Sequence, residues 1–293
     1  LVAAQASGLA GNIGADLVVP TEFMALRLMN LGWLNQINRE RVPNLANLRA
    51  DLINSPADPG RTHIAPYLTG MVGLAYNKAA TKRPITSVSD LWDPAFKGKI
   101  GVLTEMRDTL GLIGLSEGVD ISKPTAKALQ KAIDVLQEQV DSGQIKQFTG
   151  NDYMDDLTQG NFAACIGWSG DIAQLSKDSP ELKFVIPESG GTLWSDTMVI
   201  PKGSDGAEAA AQFMDYVYDP VNAARITAYV QYVSPVDGVQ DELMKMGGDA
   251  AALADNVLLF PSEESSKNLF SFGPLSEKDE EALDAEFSKV QGN

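Results

Sequence analysis

The residues best able to do chemistry are tryptophans set beside carboxylates. Gly167-Trp168-Ser169-Gly170-Asp171 places an indole three positions before an acid, where a strand is expected to hand over to a helix. Trp194-Ser195-Asp196 places the two groups two positions apart, so in an extended segment they project from one face. Leu103-Thr104-Glu105-Met106-Arg107-Asp108 sets two carboxylates at i and i+3, neighbours on one helix face if a helix starts there. An indole face attracts an organic cation and covers its methylenes, while a carboxylate accepts charge-assisted hydrogen bonds from the N–H donors. Such pairs suit an organic ammonium ion. Each contact between cation and indole contributes about 0.5–2 kcal/mol, the upper end only where water is excluded.

Every one of these residues also has a plain structural reading. Trp33 and Trp92 read as core or interface, and Asp171 can cap the helix after Gly170. Glu105 and Asp108 can complement a helix N-terminus, and Asp155 with Asp156 reads as a solvated helix face. The single cysteine, Cys165, sits in the apolar run Phe162-Ala163-Ala164-Cys165-Ile166 and reads as core; alone it forbids an internal disulfide or a cysteine-rich zinc site. The single histidine, His63, reads as a loop residue, rules out two-histidine metal motifs and weakens a Ser-His-Asp reading. No phosphate-binding G-x-x-x-x-G-K-[ST] or calcium loop is present, and the glycines at Gly8 and Gly11 lack the rest of a dinucleotide fingerprint. No metal and no cofactor is expected. A carboxylate pair would also serve a hydrolase acting on glycosides, and nothing in the sequence separates a raised-pKa acid from a partner base.

The elements that must position these groups follow from periodicity and punctuation. Gly14 to Pro20 reads as a short strand, followed by a helix that Thr21 can cap, with Met24, Leu28 and Leu31 on one face and Gly32 at its end. Ile64 to Tyr76 reads as a strand under close packing at Gly70 and Gly73. Gly101 to Leu103, Phe162 to Ile166, Lys183 to Ile186 and Met198 to Pro201 read as further strands. The clearest helix is Pro124 to Val140, with apolar residues at helical spacing and Gly143 closing it. Tyr153 to Gly160, Asp205 to Tyr218, Val221 to Tyr229 and Ser276 to Val290 are the other helices. Strands alternating with helices point to an α/β fold with mainly parallel sheets.

The chain has 293 residues, which suits two lobes better than one core. With 44% hydrophobic and 21% charged residues it is a globular chain, and no apolar run is long enough for a membrane helix. Against 39 Asp and Glu stand 23 Lys and Arg, a formal charge of −16 that disfavours nucleic acid and anionic membrane surfaces and favours cationic partners.

Taken in order, these segments resemble the spermidine- and putrescine-binding components of ABC importers, the periplasmic polyamine-binding proteins. The resemblance rests on Asp16-Leu17-Val18-Val19-Pro20-Thr21, on Pro66-Tyr67 through Gly73-Leu74-Ala75-Tyr76-Asn77, and on Asp90-Leu91-Trp92-Asp93-Pro94 with Phe96-Lys97-Gly98-Lys99. Gly167 to Asp171 and Trp194 to Pro201 are its most specific pieces. It implies a two-lobed periplasmic-binding-protein fold with a ligand cleft between the lobes and crossover strands as hinge. The expected lobes are 1–77 with 198–293, and 78–197. The implied function is capture of a small linear amine by hinge closure, with an ABC permease as partner, no catalysis, no nucleic acid and no membrane insertion. The protein would act as a monomer in the periplasm, or outside the cytoplasm on a lipid anchor.

Carried over by position, Trp168 and Trp194 would flank the ligand's aliphatic chain, and Asp171 and Asp196 would receive an ammonium group. Glu105 and Asp108 would meet amines toward the other end, and Thr21, Phe23 and Tyr232 would line the site. Phe23 stands where some relatives carry Tyr, so it lacks a hydroxyl to donate, and Glu22 adds a carboxylate beside the turn. The resemblance further implies a strand and helix that would stand before Leu1. A zwitterion such as 4-aminobutyrate is the alternative ligand, with Arg107 the candidate for its carboxylate. A carboxylate-based hydrolase is the alternative of another class.

Overall fold

The computed structural model describes residues 13–53 and 58–292, so Gly8 and Gly11 lie outside the described residues. In chain order the main elements are α1 (Glu22–Asn30), β1 (Ala65–Asn77), β2 (Ile100–Leu103), α2 (Met106–Ser116), α3 (Ala126–Asp141), β3 (Ile145–Thr149), α4 (Tyr153–Thr158) and β4 (Ala164–Trp168). They continue as α5 (Ser169–Leu175), β5 (Leu182–Val185), β6 (Gly191–Met198), α6 (Ala207–Val217), α7 (Pro220–Val230), α8 (Val239–Met246), β7 (Leu269–Ser271) and α9 (Glu277–Gln291). Among the described residues seven strands join in the order β3-β2-β4-β1-β6-β7, with β5 also on β1.

Two units are built from this chain: Leu1–Thr69 with Ser195–Phe260, and Gly70–Trp194 with Pro261–Asn293. The chain therefore changes unit within β1, within β6 and after Phe260. The expected boundaries at 77 and 197 lie beyond these points, and the expected assignment of all of 198–293 to the first lobe is corrected by α9. Its Leu283, Phe287 and Val290 are buried in the same core as Leu74, Leu110 and Leu136 of the second unit. One continuous strand serves both units, with no loop or linker at the crossing for a sequence reading to mark.

In the second unit every residue of β1 from Gly70 to Asn77 is buried, so the strand is apolar on both faces. It runs antiparallel to β4, pairing Val72 with Trp168, and antiparallel to β5. β2 runs parallel to β3 and β4, and β6 parallel to β7. The sheet is mixed, not mainly parallel as expected. Helix α3 forms where the spacing predicts it: the Thr125 hydroxyl accepts from the Ala128 N–H, and Leu129, Ala132, Ile133 and Leu136 are buried. Ser276 caps α9 in the same way, and Asp279 of α9 accepts from the Ala126 N–H, tying the starts of α3 and α9 together.

In the first unit the expected strand over 14–20 is reduced to single antiparallel bridges, Val18 with Val199 and Thr21 with Asp196. Helix α1 follows Thr21, whose side chain makes no cap hydrogen bond; Leu28 is buried but Leu31 is 49% exposed, against the expected shared face. Gly32, at φ 72°, then turns the chain. Strand β6 begins at Gly191, earlier than the expected strand at Met198, so Trp194 and Asp196 lie inside it. The core beyond is made by Met198, Ile200, Met214 and Val217 with Val42 and Leu45. Helix α8 was not expected.

Candidate ligand-binding site

The second unit assembles one group of the expected residues. Trp168 ends β4 and Asp171 lies in the first turn of α5, whose start is tied to β1 by the Met71 N–H donating to the Ser169 hydroxyl at 3.1 Å. Asp171 is buried, at 4% exposure, and its Oδ2 accepts from the Tyr153 hydroxyl at 2.8 Å and from Asn151 Nδ2 at 3.1 Å. Its position in the first turn also suits the helix dipole. The Tyr153 oxygen in turn accepts from the Trp168 backbone N–H at 3.0 Å. Trp168 Nε1 donates to Asp108 Oδ2 at 2.8 Å, so the indole is fixed at both its backbone and its ring.

Trp194 joins Trp168 on one face of the sheet. A Cβ at Gly70 would run into the Trp194 indole, which therefore lies over Gly70 of β1. Gly70 and Val72 face the same way in a strand, and Val72 is paired with Trp168, so both indoles lie over that face. The two strands that carry them, β4 and β6, flank β1. The absence of a side chain at Gly70 is what lets the indole approach.

The helix expected to start near Glu105 and Asp108 begins at Met106. Glu105 is the residue before α2, exposed and without a side-chain cap bond, and Asp108 lies in the first turn. Arg107, the candidate for a zwitterion's carboxylate, donates to Glu280 of α9 at 3.0 Å and lies over the Phe272 ring at 5.7 Å. Both groups come from the segment after β6, so its charge is met within the second unit.

A second group lies in the first unit. The bridge between Thr21 and Asp196 sets these two side by side, and the N–H and hydroxyl of Thr197 both donate to the Pro20 carbonyl, at 2.8 and 3.1 Å, locking that register. Phe23 is half-buried in the first turn of α1. Tyr232, also half-buried, precedes Val233, which bridges Thr69; the Thr69 and Ser195 hydroxyls are 2.9 Å apart. Burial pushes the Asp196 carboxyl up to about 6. Glu22 meets Arg61 at 2.9 Å, and Asp16 accepts from Ser204 and the Gly206 N–H, so both belong to the framework of the turn.

Other expected placements are plain. Cys165 is fully buried in β4, and burial raises its thiol far above the ordinary value. His63 sits in a bend, with its N–H on Asp58. Among the described residues no three His, Cys, Asp or Glu side chains gather as metal ligands. Sequence reasoning missed Tyr153 and Asn151. Tyr153 reads only as the start of a short helix, and its partners lie 15 and 18 positions away.

The arrangement can hold an organic ammonium: aromatic faces for the cation and its methylenes, carboxylates for its N–H donors. The mixed α/β sheet in two units has the fold of the periplasmic binding proteins. A solved structure of the spermidine/putrescine ABC transporter substrate-binding protein PotD from Streptococcus pneumoniae superposes with a TM-score of 0.81, at 22% identity, over 99% of this chain and 87% of that one. The chain belongs to the bacterial extracellular solute-binding protein family, whose model matches residues 2–258. It is 28% identical to the putrescine-binding periplasmic protein SpuD of Pseudomonas aeruginosa, over 98% of this chain and 81% of SpuD. It is 24% identical to the spermidine/putrescine-binding periplasmic protein 1 of Haemophilus influenzae, over 87% and 69% of the two chains.

Proposed function

We propose that this chain is the solute-binding component of an ABC importer, capturing a small linear amine of the putrescine or spermidine kind by hinge closure and delivering it to the permease. The observation that carries the reading is the gathering of two indoles and a buried acid in the second unit, with a further acid beside the turn of the first. Trp168, Trp194 and buried Asp171 stand in the second unit, and Asp196, whose charge burial opposes, stands with Thr21 in the first. A linear amine offers ammonium groups for carboxylates and methylenes for indoles. Glu105, Asp108, Phe23 and Tyr232 are proposed to complete the lining. The names of SpuD and of the Haemophilus relative support the same ligand class and a periplasmic setting. Among the described residues no helix is long and apolar enough to cross a membrane. The reading includes no catalytic step, and the comparisons give the hydrolase alternative no support. For the zwitterion alternative, Arg107 is already engaged by Glu280.

Isothermal titration with putrescine, spermidine and 4-aminobutyrate tests the reading. The expected result is micromolar or tighter binding of a diamine or polyamine with no product formed. Asp171→Asn should keep the fold and weaken that binding by about 2–4 kcal/mol, through loss of a charge-assisted contact. Preference for 4-aminobutyrate, or turnover of any of the three, overturns it.

A further inference from the structure

We infer that Tyr153 is the positioning residue of this site: one hydroxyl fixes Trp168 and Asp171 together, so that indole and carboxylate meet an ammonium group as a preset pair. The ligand arm of its test rests on the amine-binding reading above. A tyrosine hydroxyl has one proton to give. The Trp168 N–H donates to Oη at 3.0 Å, so the hydroxyl proton is directed to Asp171 Oδ2 at 2.8 Å, the Trp168 carbonyl being farther at 3.5 Å. The backbone of one ligand-facing residue and the side chain of another thus share one atom.

The hydroxyl lies on the buried side of the carboxylate. Tyr153 is fully buried, so removing its hydroxyl leaves a gap on the inner side of Asp171, away from solvent. Asn151, which also donates to Oδ2, is exposed, and water can replace it. The ring is held as closely as the hydroxyl: a Cβ at Gly167 would stand 3.1 Å from Tyr153 Cε2, Cζ and Oη. Burial, then the Asp171 charge, pushes the phenol well above its ordinary value, so the donor keeps its proton throughout the working pH range.

A double-mutant cycle on putrescine affinity is the experiment. Tyr153→Phe should weaken binding about tenfold or more, as expected for removing a donor from a buried carboxylate. Made on Asp171→Asn, the same change should cost clearly less, about threefold, because the charge it helps to orient is gone and only its hold on Trp168 remains to be lost. Asn151→Ala should also cost less than about threefold. Equal losses in both backgrounds, or none in either, overturn the proposal. Amide hydrogen exchange at Trp168 in the ligand-free protein supplies the second arm: Tyr153→Phe should speed it about tenfold while Ile166 is unchanged. An unchanged Trp168 rate overturns the proposal. If the wild-type protein binds no amine, the amine reading falls and the exchange arm alone decides the role of Tyr153. Should Tyr153→Phe not fold, Gly167→Ala carries both arms, because its methyl displaces the phenol ring and leaves the hydroxyl chemistry in place.

Discussion

At Asp196, burial pushes the carboxyl pKa up to about 6, against an ordinary value of 3.8, so at neutral pH the site holds a charge that its surroundings resist. An ammonium ion binds the ionised form and relieves that cost. Protons compete with the ligand as pH falls through 6, so affinity for a diamine should be level above about pH 7 and fall by up to tenfold per unit below 6. Titrations from pH 5 to 8 check this, and Asp196→Asn should remove the slope and weaken binding throughout. In the ligand-free protein the sign is opposite: the folded state binds this proton more tightly, so this group's share of stability declines as pH rises from about 4 to 6. Asp108 raises a different question, since its Oδ2 already holds the Trp168 ring. Asp108→Asn keeps an acceptor for the indole and loses the charge, whereas Asp108→Ala loses both. If Asp108 meets the amine, both variants should weaken binding tenfold or more; if it only orients Trp168, the Asn variant should bind within about threefold of wild type.

Gly70 shows how an element, not a residue, sets the second aromatic platform. The Trp194 indole occupies the space a side chain at position 70 would need. Gly70→Ala should move the ring off β1 and weaken linear amines of every length by a similar factor, read by titration with putrescine and spermidine. The helices were largely legible because their signals are local: Thr125 and Ser276 cap, and the apolar positions of α3 and α9 recur at helical spacing. The acids and tryptophans were legible as candidates, from residue type and from the family resemblance. The direction of β1 against β4 was not legible, because strand pairing is decided by neighbours distant in sequence. Tyr153 escaped for the same reason. An aromatic residue opening a short helix gives no sign that its hydroxyl will meet residues 168 and 171.

At the scale of the molecule, each unit is assembled from separated stretches of chain, and α9 closes the core of the second. Phe287 is 3% exposed and meets Phe148 edge-on, with ring centroids 5.9 Å apart. Phe287→Ala should therefore take about 3–5 kcal/mol from the unfolding free energy of that unit, measured by denaturant titration. Residues 261–293 also supply Glu280 to Arg107, so the same stretch that completes the core meets the charge of a residue neighbouring Asp108.

This late closure has a consequence for how the protein is made. Domains commonly fold in turn as they leave the ribosome, the N-terminal one first. Here the first unit lacks Met198, Met214 and Val217 until the chain has been made past them, and the second lacks Leu283, Phe287 and Val290 for longer still. Neither can finish its core during most of synthesis, and contacts between such distant residues form slowly. The nascent chain is therefore expected to stay loosely folded until residues 283–290 have been made, so a chain cut short before them should be cleaved by protease where the full chain resists.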